Sequence, residues 1–319
     1  MADIQAFGEA LLQHVGKTLV DQEETALLMA VGLLAEGHIL LEDVPGVGKT
    51  RLAQTVAQSM AGATFRRIQF TPDLLPSDVI GVNMFHPGEG QFTFRPGPIF
   101  AHVVLADEIN RATPRTQAAL LEAMQERQVS SDGVTRPLPT PFFVLATQNP
   151  VEQEGTFPLP EAQLDRFLLR LTPGYPTDEA EREMLARVAR REGAEDVLPS
   201  LRPVVAAEEL PRLAQAAREV EVHPDVQGYV VDLVRASRTQ RDIRLGASPR
   251  AAIALLRAAQ ALAALRGRPY VVPEDVSDLA VPVLAHRLIL SPEAELEGKT
   301  GAGIVRDLLQ KVPAPTEAH

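Results

Sequence analysis

The sequence predicts an α/β fold, a five-stranded parallel sheet continued by an all-helical segment. Three observations carry that prediction. Five short apolar runs alternate with segments of helical period, as strands buried on both faces of a sheet do. Residues suited to phosphate and acid–base chemistry fall just after those runs, where parallel sheets gather their ligands. Beyond Pro173-Gly174-Tyr175-Pro176 the pattern becomes helical throughout.

From Gly8 to Glu36, Leu11, Leu12, Val15 and then Leu27, Leu28, Val31, Leu34 recur at helical spacing, predicting two helices broken near Val20-Asp21. His38 to Leu41 reads as the first strand, Lys49 to Met60 as a helix with Leu52, Val56 and Met60 on one face, and Phe65 to Phe70 as the second strand. The stretch from Thr71 to Pro98 is rich in Pro and Gly. It offers a short helix (Ser77 to Gly81) and a hairpin, Asn83 to Phe94, turning at Pro87-Gly88-Glu89-Gly90. An excursion of that length between sheet strands points to function. His102 to Ala106 is the third strand, and Thr113-Pro114 opens a helix carrying Ala118, Leu121 and Met124. Gln128 to Leu138 is a second hairpin with Asp132-Gly133 at its turn. Phe142 to Ala146 and Phe167 to Leu171 are the fourth and fifth strands.

The expected organisation is therefore an α/β domain over 1–173, with inserts at about 71–98 and 128–138, a helical domain over 177–311, and a frayed tail over 312–319. The helical part is expected as Thr177 to Arg191, Ala207 to Val220, Pro224 to Gln240, Ser248 to Arg266 and Pro273 to His286, with no strand longer than Tyr270-Val271-Val272.

Composition narrows the classes. The chain has 319 residues, 45% apolar and 23% charged, as ordinary globular proteins do. It has no cysteine, which excludes disulfides, thiolate metal sites and thiol nucleophiles. Met1-Ala2-Asp3-Ile4-Gln5 lacks the features of a secretion signal, and the longest apolar run, Ala26 to Ala35, is too short to span a bilayer, so a cytoplasmic protein is expected. A formal net charge of −11 argues against a constitutive nucleic-acid binder. Lysine is scarce (Lys17, Lys49, Lys299, Lys311), which makes Lys49 in a glycine-containing turn conspicuous.

That turn is Asp43-Val44-Pro45-Gly46-Val47-Gly48-Lys49-Thr50, between the first strand and its helix. Small residues let backbone N–H groups close around an anion, and the helix start adds its positive dipole end. Lys49 supplies charge at the β/γ-phosphates and Thr50 a hydroxyl for Mg²⁺. The cradle is Pro45, Gly46, Val47, Gly48, Lys49, Thr50 and Arg51, with Asp43 where the generic phosphate-loop pattern has Gly. Asp107, ending the third strand, fits a Mg²⁺-holding acid, and Glu108 a base for the attacking water. Asn149 follows the fourth strand, where an amide holds water or γ-phosphate, although Asn before Pro150 equally suits a turn. Arg166 precedes the fifth strand and Arg250 opens a helix. Taken alone, each also reads as a surface salt-bridge partner.

Six stretches taken together resemble the MoxR family of AAA+ ATPases over nearly the whole chain. They are Gly37 to Thr50, Ala106-Asp107-Glu108-Ile109-Asn110-Arg111-Ala112, Ala146-Thr147-Gln148-Asn149-Pro150, Gly155 to Phe167, Gly246-Ala247-Ser248-Pro249-Arg250, and Val272-Pro273-Glu274-Asp275-Val276. One departure is Val20-Asp21-Gln22, beside the expected adenine site, where relatives usually carry Val-Gly-Gln. The resemblance implies AAA+ strand order 5-1-4-3-2 with a helical lid. It implies sensor roles for Asn149 and Arg250, and an arginine finger at Arg166 that reaches a neighbouring subunit. It further implies ATP and Mg²⁺ as cofactors, a homo-oligomeric ring, a hexamer, and a protein client, with von Willebrand factor A domain proteins as the family's common partners. The two inserts would touch the client.

Overall fold

The computed structural model describes residues 1–42, 48–88, 90–149, 155–190 and 201–315. Five parallel strands form its centre: β1 (His38–Glu42), β2 (Phe65–Gln69), β3 (Val103–Asp107), β4 (Phe143–Gln148) and β5 (Phe167–Leu171). Their order across the sheet is β5-β1-β4-β3-β2, the order the resemblance implies. Successive side chains of a strand point to opposite faces, so the continuous apolar runs feed two cores. Ile39, Leu41, Leu105 and Leu145 face one of them. Leu40, Val104, Val144 and Ala146 face the other, against Leu120, Leu121 and Met124 of the Pro114–Glu126 helix.

The first core extends far beyond the sheet. Ile4, Phe7, Leu11 and Val15, one stripe of the Ala2–Thr18 helix, enter it beside Met29, Ala30 and Leu33 of the Glu23–Leu34 helix. These two helices pack in turn on the alanine-rich Pro249–Leu265 helix, where Ala258, Ala259 and Ala261 let backbones approach closely. No hydrophobic gap therefore separates the sheet from the C-terminal helices. The chain passes between the first two helices at Asp21, in the left-handed conformation (φ 58°).

Several elements depart from expectation. The helix starting at Lys49 ends at Gln58, because Met60–Ala61 leaves it to pair in parallel with Val205–Ala206. In the C-terminal part the paired strands are Ile243–Leu245 and Ile289–Leu290, antiparallel, while Tyr270 makes only an isolated bridge to Glu221. A further helix, Gly301–Lys311, packs on Pro273–Leu284. Both hairpins form. Gly81–His86 pairs with Gln91–Pro96, longer at each end than expected, and Gln128–Ser131 pairs with Val134–Pro137. The expected turn residue Glu89 and the tail beyond 315 lie outside the described residues.

Candidate functional site

The carboxyl ends of β1, β3 and β4 meet at one edge of the sheet. Of the expected phosphate cradle, Pro45, Gly46 and Val47 lie outside the described residues; Gly48, Lys49, Thr50 and Arg51 are described and half-buried. Gly48 holds φ 80°, a conformation glycine reaches without strain, and immediately precedes the Lys49–Gln58 helix. A Cβ there would stand 2.5 Å from Leu19 Cδ2. A helix start presents its first N–H groups and its positive dipole end to an anion. Neighbouring Asp21 occupies a left-handed position that suits the glycine of relatives, and Asp tolerates it. Its carboxylate accepts from the Thr177 N–H at 3.2 Å, tying the interhelical turn to the start of the Asp178–Ala189 helix.

The acid pair sits at the end of β3. Asp107 Oδ2 accepts from Arg67 Nη2 at 2.5 Å and Nε at 3.1 Å, while Oδ1 accepts from the Thr147 hydroxyl at 2.6 Å. Glu108 follows in the left-handed region (φ 55°), which costs a side-chain-bearing residue about 1 kcal/mol. Its N–H donates to the same Thr147 oxygen at 2.9 Å. Its Oε2 accepts from Gln69 Nε2 at 2.9 Å and Arg111 Nη1 at 3.0 Å. The bend turns Glu108 out of the strand, and Thr147, only 1% exposed, holds both acids from one hydroxyl. Asn149, buried, follows β4, the strand that lies between β1 and β3, and its carbonyl faces Asn110 Nδ2 at 3.5 Å.

Sequence reasoning passed over Arg67, Gln69, Arg111 and Thr147. The available signal was a polar residue at the end of a strand, since Gln69 stands opposite Asp107 in the β2–β3 register. It also passed over Glu42, whose carboxylate is held by Arg170 Nε at 2.9 Å and by Gln148 Nε2, so that β5 and β4 are tied to β1 just before the cradle.

Arg166 and Arg250 lie elsewhere. In a parallel sheet the start of β5 is opposite the acid pair, and five residues of strand separate the two edges by about 13 Å. Arg166 immediately precedes β5. Arg250, in the first turn of the Pro249–Leu265 helix, has Nη1 3.8 Å from Asp165 Oδ2. With Asp165, Leu168 and Arg257 they line a cleft of about 220 Å³. The structure thus gathers Lys49, Thr50, Asp107, Glu108 and Asn149 at one edge of the sheet, and Arg166 and Arg250 at the other.

The first edge fits a magnesium nucleotide. Among the described residues no three acidic or histidine side chains form a metal cage. Mg²⁺ does not need one, because it takes one or two protein oxygens and fills its shell with phosphate and water.

Comparison with known proteins gives the family and the fold. Residues 38–169 match the profile of the ATPase family associated with various cellular activities (AAA), and residues 235–308 match the AAA lid domain. The chain is 42% identical to Chaperone MoxR1 of Mycobacterium tuberculosis, covering 98% of this chain and 84% of that protein. It is 32% identical to Protein MoxR of Methylorubrum extorquens, covering 95% and 94% respectively. A crystal structure of a candidate ATPase from Cytophaga hutchinsonii superposes with a TM-score of 0.89 at 40% identity, over 98% of this chain and 96% of that one. Among the described residues no helix is long and apolar enough to cross a membrane.

Proposed function

The chain belongs to the MoxR family of AAA+ ATPases, and from that premise we propose that it hydrolyses ATP with Mg²⁺ in a cytoplasmic homo-oligomeric ring, a hexamer, whose cycle remodels or activates a protein partner. The observation that carries the reading is the division of the catalytic set between opposite edges of one sheet. A protomer holding Asp107 and Glu108 at one edge and Arg166 and Arg250 at the other cannot close both on one nucleotide. A ring brings the arginine edge of each subunit to the acid edge of the next.

In this reading Lys49 and the N–H groups at the helix start bind the phosphates. Thr50 and Asp107 would hold Mg²⁺, which would offset the negative charge of the phosphates. Glu108, aimed by its bent backbone, takes the proton of the attacking water. Asn149 orients that water or the γ-phosphate. Arg67 holds Asp107 and Gln69 holds Glu108 in place until nucleotide arrives. Arg166, with Arg250 beside it, meets charge developing on the neighbour's γ-phosphate, a contribution on the order of 10³-fold or more. The name of the M. tuberculosis relative supports a chaperone-like role, and the family's usual partners make a von Willebrand factor A domain protein the client of choice.

The test is subunit mixing. Glu108→Gln is expected to bind ATP yet hydrolyse it roughly 10²-fold more slowly. Arg166→Ala and Lys49→Ala are each expected to be inactive alone, the first with nucleotide binding intact, and to regain activity when mixed. An isolated protomer that turns over as fast as the assembly overturns the reading. So does failure to recover in rings shown to be mixed.

A further inference from the structure

Arg287 is the most deeply buried cation at the arginine edge, its side chain 3% exposed. A guanidinium withdrawn from water costs several kcal/mol unless its donors are matched. Here nearly all are. Nε donates to Asp165 Oδ1 at 2.7 Å, Nη2 to the Phe167 carbonyl at 2.7 Å and the Asp165 carbonyl at 3.4 Å, and Nη1 to the Leu168 carbonyl at 3.1 Å and to that of Val283. The preceding residue, His286, donates from Nε2 to the same Phe167 carbonyl at 3.1 Å. Both residues sit in the 3₁₀ turn that ends the Pro273–Leu284 helix, within the region matching the AAA lid.

Apart from the Val283 carbonyl in the preceding helix, the acceptors are Asp165, Phe167 and Leu168, the residues on either side of Arg166. Among the described residues no hydrogen bond or ion pair holds the Arg166 side chain itself. Its direction is set by the backbone, and the lid grips that backbone on both sides. Asp165 is shared, with Arg287 close and Arg250, another lid residue, at 3.8 Å. A movement of the lid that left Asp165 bonded to Arg287 would carry Arg166 with it.

We propose that Arg287 is a positioning residue for Arg166, making the lid of each subunit a control on hydrolysis in its neighbour. The proposal rests on the reading that Arg166 acts across a subunit boundary. Arg287→Lys keeps the charge but loses the planar fork that reaches several acceptors at once. Asp165→Asn keeps an acceptor and removes the counter-charge.

Both variants are expected to bind a fluorescent ATP analogue within about twofold of the parent. Their hydrolysis should fall roughly tenfold or more, because a displacement of about 1 Å at a reacting centre costs up to 10²-fold. Mixing gives the direction of the defect. Arg287→Lys with Lys49→Ala is expected to recover activity, since the first subunit keeps its nucleotide edge and the second its finger. Arg287→Lys with Arg166→Ala is expected not to recover, because every interface then lacks a placed finger. Recovery in that second mixture would mean the defect lies in the variant's own site, and would overturn the proposal. Hydrolysis at the parental rate would overturn it as well. Should Arg287→Lys fail to fold, Asp165→Asn decides in the same two mixtures. The control, Arg166→Ala with Lys49→Ala, separates the two levels: if it recovers nothing, the cross-boundary reading itself is lost.

Discussion

Thr147 shows how much one hydroxyl can organise. It donates to Asp107 and accepts from the Glu108 N–H, holding the proposed metal-binding acid and the bent backbone of the proposed base together. Thr147→Val keeps the shape and removes both bonds. Leaving a buried donor and acceptor unmatched costs about 1–3 kcal/mol, so denaturant titration should register a loss of that order. The ATPase rate should fall further than nucleotide affinity, since the base loses its aim. His38 makes a different prediction. Its Nδ1 accepts from the Val144 N–H at 3.0 Å and its Nε2–H donates to the Met124 carbonyl at 3.1 Å, so only the neutral ring satisfies both. Burial lowers its pKa from 6.5 to about 4. Above pH 6.5 the ring is neutral folded and unfolded, and the native state has its full stability. As pH falls from 6.5 toward 4 the unfolded chain takes up a proton that the folded chain refuses, and about 3 kcal/mol is lost. His286, its pKa also driven down chiefly by burial, acts in the same direction. Unfolding free energies measured from pH 7 down to pH 4 should show this slope, and His38→Gln should flatten it.

Among the elements, the two hairpins behave as one unit. Asn83 of the first donates to Asp132 at the turn of the second, and the Arg136 guanidinium lies 3.8 Å from the centre of the Phe94 ring. Phe94 in turn meets Phe100 edge-on at 5.8 Å, in the segment that leads into β3. At the base of the first hairpin, Gly81 (φ 102°) leaves no room for a Cβ, which would stand 2.4 Å from the Arg95 carbonyl oxygen. A cation over an aromatic face contributes about 0.5–1 kcal/mol at exposed sites. Arg136→Ala should therefore raise amide exchange in Gly81–Pro96 by roughly two- to fivefold while exchange in β3 and β4 is unchanged. Equal acceleration in the sheet would mean that the contact supports the whole fold rather than the pairing of the hairpins.

At the scale of the molecule, the sheet and the C-terminal helices share one continuous core, and Arg287 bolts the lid to the start of β5. Such sharing favours a single cooperative unfolding transition. The chain has no tryptophan, and its three tyrosines are Tyr175, Tyr229 and Tyr270. Tyr229 is buried among the C-terminal helices, so tyrosine emission reports on the lid while far-UV circular dichroism reports on every helix. The two signals should share one denaturant midpoint. Separate midpoints would mean that the lid unfolds by itself.

The sequence alone determined the strands, the long helices, the order of the candidate site residues along the chain and the family resemblance. Each is written in local periodicity or in short contiguous motifs, where neighbours in sequence are neighbours in space. Strand order came through the resemblance rather than through any local signal. Only the tertiary structure decided which polar groups meet. Arg67, Gln69 and Thr147 stand on strands other than the one bearing the acids they hold, and Arg287 is 122 residues from Asp165. The pairing of Ile243–Leu245 with Ile289–Leu290 escaped notice for the same reason, since two or three residues are too few to show a period. That Arg166 and Arg250 stand at the far edge from Glu108 follows from the parallel sheet, because a strand presents its beginning and its end to opposite sides of the molecule.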